Sequence, residues 1–468
     1  EHIGLYLINP SFEFLSGGAT KCELTGHLDN NQGGAPTILD YWRGTHYGGS
    51  QCRVAAGEDW NKVVGPIFVY LNSKETSDEM FQDAVAQAKK EAAAWPYDWV
   101  TGVDYPHKSE RGRLTGQLVL NDSQASTHKL HNLLVGLAFP DQPKPAAPLS
   151  AAAPPSTGPA AIAPAAADAD SKSSDSTSPA ADRSGNVPPD GQRGGRGFGS
   201  GFGGGRFGPQ PLDWQNDAKH YEFWVQGDVD GHFVIPNIRP GTYQLHAIAD
   251  GVLGEFSQQP IEIKPGQSLD LGKLEWKPVR YGKQVWDIGF PNRTGAEFFK
   301  GDEYFRWGWY VEYPKLFPND VHYEVGKSDY TKDWFFEQVP HDTKDDNVTG
   351  QGQGRATPWT ISFDLPDAPK GKATLRLAIC GCGTRSLDVT VNDAKAGTIV
   401  MPPYNATINR DGIGGYWSER NLAFDASLMH AGQNSLILTV PAGSLTSGVI
   451  YDYLRLELDE SAAAPQAQ

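Results

Sequence analysis

Cysteine is scarce in this chain: four residues among 468. Cys22 and Cys52 flank an aromatic-rich stretch; whether they are bridged is left open by the sequence. Cys380-Gly-Cys382 has no second pair at metal-ligand spacing, which argues against zinc, so two neighbouring buried thiols are expected there. Positive charge is in deficit. Lys and Arg number 40 against 56 Asp and Glu, a net charge of −16. That balance argues against a nucleic acid or an anionic membrane as partner. An anionic polymer would have to be held by local Arg and Lys groups against the field of the whole chain. No apolar run reaches the roughly 20 residues that cross a bilayer, and no signal-peptide pattern is present. Helical patterning is nearly missing too: one segment, at 77–94, carries it.

What is abundant points one way. The chain has 53 Gly, 34 Pro, 13 Trp and 18 Tyr, a composition suited to a turn-rich, all-β protein. Its length allows about three domains. The first unit spans 1–108. Ile3, Leu5 and Leu7 alternate with Gly4 and Tyr6 as in a half-buried strand, and 63–71 reads as an apolar strand interrupted by Gly65-Pro66. Helix 77–94 follows, with Thr76 and Glu79 at capping-box spacing, an apolar stripe of Met80, Phe81, Ala84, Val85 and Ala88, and a stop at Trp95-Pro96. The second unit spans 109–278, with strands expected at 114–120 and 133–139 and a patterned pair within 231–248 broken by Pro240-Gly241. It carries an insertion at 142–211, rich in Ala, Pro, Ser and then Gly, that cannot bury enough apolar surface to order itself. The third unit, 279–460, has strands expected at 359–365, 373–379, 387–391, 435–440 and 449–458, and residues 461–468 form a tail. Asp452 falls on the apolar face of the last strand. A buried ion pair is the expected reason, and a structural calcium held through oxygen ligands the weaker candidate. Trp307, Trp309, Tyr310 and Tyr313 offer either core packing or a sugar-stacking surface.

The stretch Leu-Asp-Tyr-Trp-Arg-Gly-Thr-His-Tyr at 39–47 concentrates chemistry. Aromatic faces hold sugar rings, Arg43 can fork a carboxylate, and His46 can exchange a proton near neutral pH. An aromatic strand with a hydrogen-bonded histidine is the bland alternative. Upstream stands Asn-Pro-Ser-Phe-Glu-Phe-Leu-Ser-Gly-Gly-Ala-Thr-Lys at 9–21. Downstream stands Gly-Glu-Asp-Trp-Asn-Lys-Val-Val-Gly-Pro-Ile-Phe-Val-Tyr-Leu-Asn-Ser at 57–73. Together these resemble the end of the catalytic domain of the rhamnogalacturonan lyases, polysaccharide lyase family 4. The segment Val-Trp-Asp-Ile-Gly-Phe-Pro-Asn-Arg-Thr-Gly-Ala-Glu-Phe-Phe at 285–299 resembles the same family's third domain.

The resemblance implies an all-β, multidomain fold: part of a galactose-mutarotase-like β-super-sandwich, a fibronectin type III-like β-sandwich and a C-terminal carbohydrate-binding-like jelly-roll β-sandwich. It implies cleavage of the pectin rhamnogalacturonan I by β-elimination at galacturonate, with no cofactor required for the chemistry. His46 then matches the acid partner and Tyr41 the tyrosine that contacts substrate or assists proton transfer. Lys21, Arg43 and Glu13 are the candidate substrate contacts. The base lysine of the family lies upstream of the Asn-Pro-Ser stretch, and Glu1 opens in what reads as a strand. The expectation is that an N-terminal segment of the catalytic domain is missing here. A non-catalytic, pectin-binding chain is therefore the alternative reading. One tension stands inside the assignment: on a regular strand Tyr41 and His46 face opposite sides. A metal-dependent hydrolase built on His2, His27, His46 and Glu23 matches no ligand spacing. The family resemblance also implies a secreted or periplasmic location.

Overall fold

The computed structural model describes residues 2–20, 50–140, 212–344 and 352–461. The aromatic stretch at 39–47, Cys22 and the insertion at 142–211 lie outside the described residues.

The N-terminal part is a two-stranded antiparallel ribbon backed by one helix. Strand Gly4–Ile8 pairs with Phe68–Asn72, setting Leu5 opposite Leu71 and Leu7 opposite Val69. The alternation in the sequence predicts that Ile3, Leu5 and Leu7 face a core. Instead Leu5 is 55% and Leu71 63% exposed, while Gly4 and Ile8 are buried. The ribbon has the helix on one side only, so the other apolar face meets no second layer among the described residues.

Helix Ser77–Ala94 has the expected capping box: the Glu79 amide donates to Thr76 Oγ1 at 3.2 Å, and the Thr76 amide donates to Glu79 Oε2 at 3.1 Å. These bonds satisfy two donors that a helix start otherwise leaves open. Met80 and Ala84 are buried, whereas Phe81 is 55% exposed. The ribbon fixes which side faces inward: Tyr70 donates to Asp83 at 2.8 Å, and Asn72 Nδ2 reaches both Met80 O and Asp83.

The middle part is a β-sandwich. One sheet is ordered Ser268–Trp276, Gly112–Leu120, His232–Ile238, with the first pair parallel and the second antiparallel. The other runs Phe223–Gln226, His131–Ala138, Gly241–Asp250, Phe256–Ser257, with Ile261–Ile263 also on Gly241–Asp250. Period-two patterning puts Leu114, Leu118, Leu133, Val135, Leu137, Phe233 and Ile235 into one core.

The C-terminal part is a larger sandwich. Its first sheet is ordered Lys283–Gly289, Val449–Asp459, Lys372–Cys382, Ser418–Asp425. Its second is ordered His322–Glu324, Thr357–Leu365, Gly432–Val440, Ser386–Val391, Ala394–Val400. Central strand Val449–Asp459 is buried from Val449 through Glu457. A strand covered on both faces reads as a continuous apolar run, which is why alternation there is blurred.

Helix Trp309–Leu316 is hidden in the sequence, because it is only eight residues long and Pro314 lies inside it. It sends Tyr313 into the core, where Trp359 Nε1 donates to the Tyr313 hydroxyl at 2.7 Å. Cys380 and Cys382 are both buried, as expected, with Cys382 Sγ 3.2 Å from the Thr384 carbonyl.

The two sandwiches are tied by side chains. Arg280 pairs with Asp122 at 2.7 Å and with fully buried Glu457 at 3.4 Å. Glu457 also receives Arg376 at 3.2 Å, and Arg376 reaches Glu419 at 2.8 Å.

Candidate functional site

Tyr41, His46, Lys21 and Arg43 lie outside the described residues, as do His27 and Glu23. Glu13 is described, and its surroundings are those of a fastening. Its carboxylate is 6% exposed and accepts from Arg111 Nη1 at 2.6 Å, Arg111 Nη2 at 3.2 Å and Arg239 Nη1 at 3.3 Å. Both guanidiniums are further held by backbone carbonyls, Arg111 by Pro106 and Asn237 and Arg239 by Asp104. Arg239 also lies over the Tyr221 ring at 4.0 Å. With both oxygens engaged, Glu13 joins the N-terminal part to the middle sandwich; this corrects its reading as a substrate contact. Lys62 is a second such fastening: its ammonium donates to the carbonyls of Ala218 at 3.0 Å and His220 at 2.6 Å, and burial lowers its pKa to about 8.

A cavity of about 460 Å³ opens where the two sandwiches meet. That lies within the roughly 300–1,000 Å³ of small-ligand pockets. Asn132 and Asp250 line it from the middle sandwich; Arg293, Asp411, Trp417 and Asp452 line it from the C-terminal one. The loop after strand Lys283–Gly289 brings Arg293 in with φ of 69°. Asn132 and Asp411 also have left-handed backbones, at 45° and 50°. Asn and Asp adopt that conformation readily. For Arg it is a strain of order 1 kcal/mol, which the surroundings must hold in place.

Asp452 does the holding. Its Oδ1 accepts from the backbone amides of Asn292 and Arg293, both at 2.8 Å, and its Oδ2 from Trp417 Nε1 at 2.7 Å. Burial raises this carboxyl, and the three donors only partly offset it, leaving a pKa of about 6. Both oxygens face N–H donors, the opposite of the converging oxygens that hold calcium. Among the described residues there is no group of three or more His, Cys, Asp or Glu placed to bind a metal.

The Arg293 guanidinium lies 4.2 Å from the Trp417 ring and 5.6 Å from that of Trp214. Its Nη2 reaches Glu255 of the middle sandwich at 3.3 Å. Its Nη1 is buried without a hydrogen-bond partner among the described residues. Burial pushes the Glu255 carboxyl up, but nearby His246 and Arg293 outweigh it and hold it at about 2. Tyr416 donates to Asp213 at 2.5 Å, and Gln215 exchanges two hydrogen bonds with the Trp417 backbone. Among the described residues the cavity thus offers donors, acceptors and rings.

Of the aromatic group at 307–313, Trp309, Tyr310 and Tyr313 are core residues, and Trp307 is 60% exposed. Phe305, at 72%, stands beside it, and Tyr304, at 38%, lines the cavity.

Residues 284–456 match the description "Polysaccharide lyase family 4, domain III" and residues 197–271 match "Polysaccharide lyase family 4, domain II". The chain belongs to polysaccharide lyase family 4. The cavity therefore lies between residues of its domains II and III. Among relatives, a rhamnogalacturonate lyase of Dickeya dadantii is 23% identical over 464 residues, 97% of this chain and 60% of that one. A probable rhamnogalacturonate lyase B of Aspergillus niger is 25% identical over 265 residues, 48% of this chain and 36% of its own length. This chain thus spans about a quarter to three-fifths of the length of the curated relatives it matches. Among solved structures, a family 35 carbohydrate binding module from an environmental isolate is 21% identical, covering 28% of this chain and 90% of its own, with a TM-score of 0.17. No argument follows from so low a score.

Arg293 was in plain view in the segment at 285–299, yet its role was not. The signal available was an Asn-Arg-Thr-Gly turn beside a strand; its partners, Glu255 and Asp452, lie far away in sequence.

Proposed function

We propose that this chain belongs to a rhamnogalacturonan lyase acting by β-elimination. The observation that carries the reading is the match to family 4 domains II and III, in that order, together with relatives named as rhamnogalacturonate lyases.

The chemistry sets three requirements. The galacturonate carboxylate must be neutralised as C5 loses its proton, because the carbanion adds negative charge there. A base must stand at the C5 proton with a pKa near the working pH. An acid must protonate the oxygen leaving C4, after which a C4–C5 double bond remains. We assign the acid role to His46, substrate contact or help in proton transfer to Tyr41, and neutralisation of the carboxylate to Arg43 or Lys21. The substrate is a pectin-type polysaccharide met outside the cell or in the periplasm.

The test is the ultraviolet absorbance of the unsaturated uronate, with rhamnogalacturonan I and homogalacturonan as separate substrates. Three proteins are compared: this chain, a form extended at its N-terminus, and the extended form with His46→Ala. Product from rhamnogalacturonan I, lost in His46→Ala by about 100-fold or more, supports the assignment. Binding of the polymer with no product from either form transfers the reading to a non-catalytic, pectin-binding chain.

A further inference from the structure

A short turn of the middle sandwich touches all three parts of the chain. Residues 213–217 form it. The Asp213 carbonyl accepts from the amides of Asn216 at 3.1 Å and Asp217 at 2.9 Å, Asp213 Oδ1 from the Gln215 amide at 3.0 Å, and Asn216 Oδ1 from the Asp213 amide at 3.1 Å. Closed on itself in this way, the turn has a fixed shape and turns its other carbonyls outward. Two of them take the N-terminal part. Trp214 O accepts from the Gly17 amide at 3.2 Å and Asn216 O from the Gln51 amide at 2.7 Å, and the Ala218 amide donates to Gln51 O at 2.8 Å. The Ser16 and Ser50 hydroxyls, both buried, meet at 2.6 Å. The Thr20 amide and hydroxyl donate to Gly17 O at 2.9 and 2.8 Å. Gly18, with φ of 46°, lies flush on Trp224: a Cβ there would come within 2.0 Å of Trp224 Nε1. Thr20 and Ser50, the residues that bound the stretch at 21–49, are thus pinned to one place.

The same turn is gripped by domain III. The Tyr416 hydroxyl donates to Asp213 Oδ2 at 2.5 Å. Gln215 Nε2 donates to Trp417 O at 3.0 Å, and its Oε1 accepts from the Trp417 amide at 2.9 Å. Arg293 lies 5.6 Å from the Trp214 ring, and Trp214 packs at 4.6 Å on Trp224, the ring that Gly18 touches. Close-packed rings and buried hydrogen bonds deform little, so they carry a displacement across instead of absorbing it.

We infer that Gln215 is a positioning residue for the cleavage: through it and the Asp213–Tyr416 pair, domain III sets where the two ends of the stretch at 21–49 stand. That stretch carries His46 and Tyr41, and the inference rests on the lyase reading above for their roles. An acid must stand within hydrogen-bond reach of the departing oxygen, so a shift of these ends costs turnover. Domain III thereby takes part in the chemical step without supplying a reacting group.

Two readouts on Gln215→Ala and Tyr416→Phe test this. The first is hydrogen exchange of the whole chain, followed by mass spectrometry. Exchange at the Gly17 and Gln51 amides rises about tenfold or more, the scale of one or two lost hydrogen bonds, while strand His131–Ala138 is unchanged. The second is the kinetics on rhamnogalacturonan I of whichever form, this chain or the extended one, yields the unsaturated product. There kcat falls by about 10- to 100-fold with KM little changed, as for a misplaced reacting group. The inference is overturned if exchange at Gly17 and Gln51 stays as in the unaltered chain, or if it rises with kcat intact. A rise in KM alone also overturns it, since that marks a substrate contact, and so does exchange raised throughout the middle sandwich, which marks a merely structural role. If neither form yields product, the lyase reading fails, and the exchange result still decides whether domain III holds these ends.

Discussion

Two carboxylates show how position sets what an acidic residue does. Glu13 is caught between two guanidiniums; removing its charge leaves buried Arg111 without a carboxylate partner among the described residues, while Arg239 keeps Asp104 at 2.9 Å. Glu13→Ala is expected to lower unfolding free energy by about 3–5 kcal/mol, measured by urea denaturation. A polysaccharide contact at Glu13 would instead show as weaker binding at unchanged stability. Asp452 behaves in the other sense. Burial raises its folded pKa to about 6, and burial likewise raises that of nearby Glu297 to about 7. In the unfolded chain both lose their protons nearer pH 4. Between about pH 4 and 7 the folded state therefore holds protons that the unfolded state has released, so stability falls as pH rises through that window. Glu255, held low, opposes this only on the acid side: its contribution is present above about pH 4.5 and is lost as pH falls towards 2. The expected Tm is highest near pH 5 and declines towards pH 7, and Glu297→Gln flattens the upper part of that decline. A Tm that climbs steadily from pH 5 to 7 refutes the assignment.

Among the elements, those with local signals were legible in the sequence. The Thr76–Glu79 box and the Trp95-Pro96 stop bracket helix Ser77–Ala94 as read. Thr76→Ala is expected to cost about 1 kcal/mol and to raise amide exchange in the first turn of that helix alone. The strands of both sandwiches stand within a few residues of where period-two patterning puts them, as Gly112–Leu120, His131–Ala138, Thr357–Leu365 and Gly432–Val440 show. Helix Trp309–Leu316 escaped because eight residues with a proline inside are too short to show a 3.6-residue pattern, and its place is set by the core that Tyr313 fills. Phe81 and Leu5 escaped for a related reason. A pattern tells which residues share a face, and only a neighbouring layer decides whether that face is covered.

At the scale of the whole molecule, the two sandwiches are joined by the charged chain Asp122–Arg280–Glu457–Arg376 and by the Arg293 cluster. Such joints couple unfolding. Calorimetry of the intact chain is expected to show the two sandwiches melting together, and Arg293→Ala, which removes the Glu255 ion pair across the junction, to separate the transitions. Two transitions already present in the unaltered chain would show that the junction is too weak to couple them.

Composition and alternation were enough to indicate an all-β chain of several units and its one patterned helix, while the stretches at 9–73 and 285–299 carried the resemblance to its family. These are properties of neighbours along the chain, and backbone geometry turns them directly into strands and caps. The ion pair around Glu13, the left-handed turn at Arg293, the carboxylate of Asp452 spent on three N–H donors and the cavity they border came only with the fold. Each depends on groups from separate parts of the chain being packed together and desolvated, and burial, not residue type, set their charge and their partners.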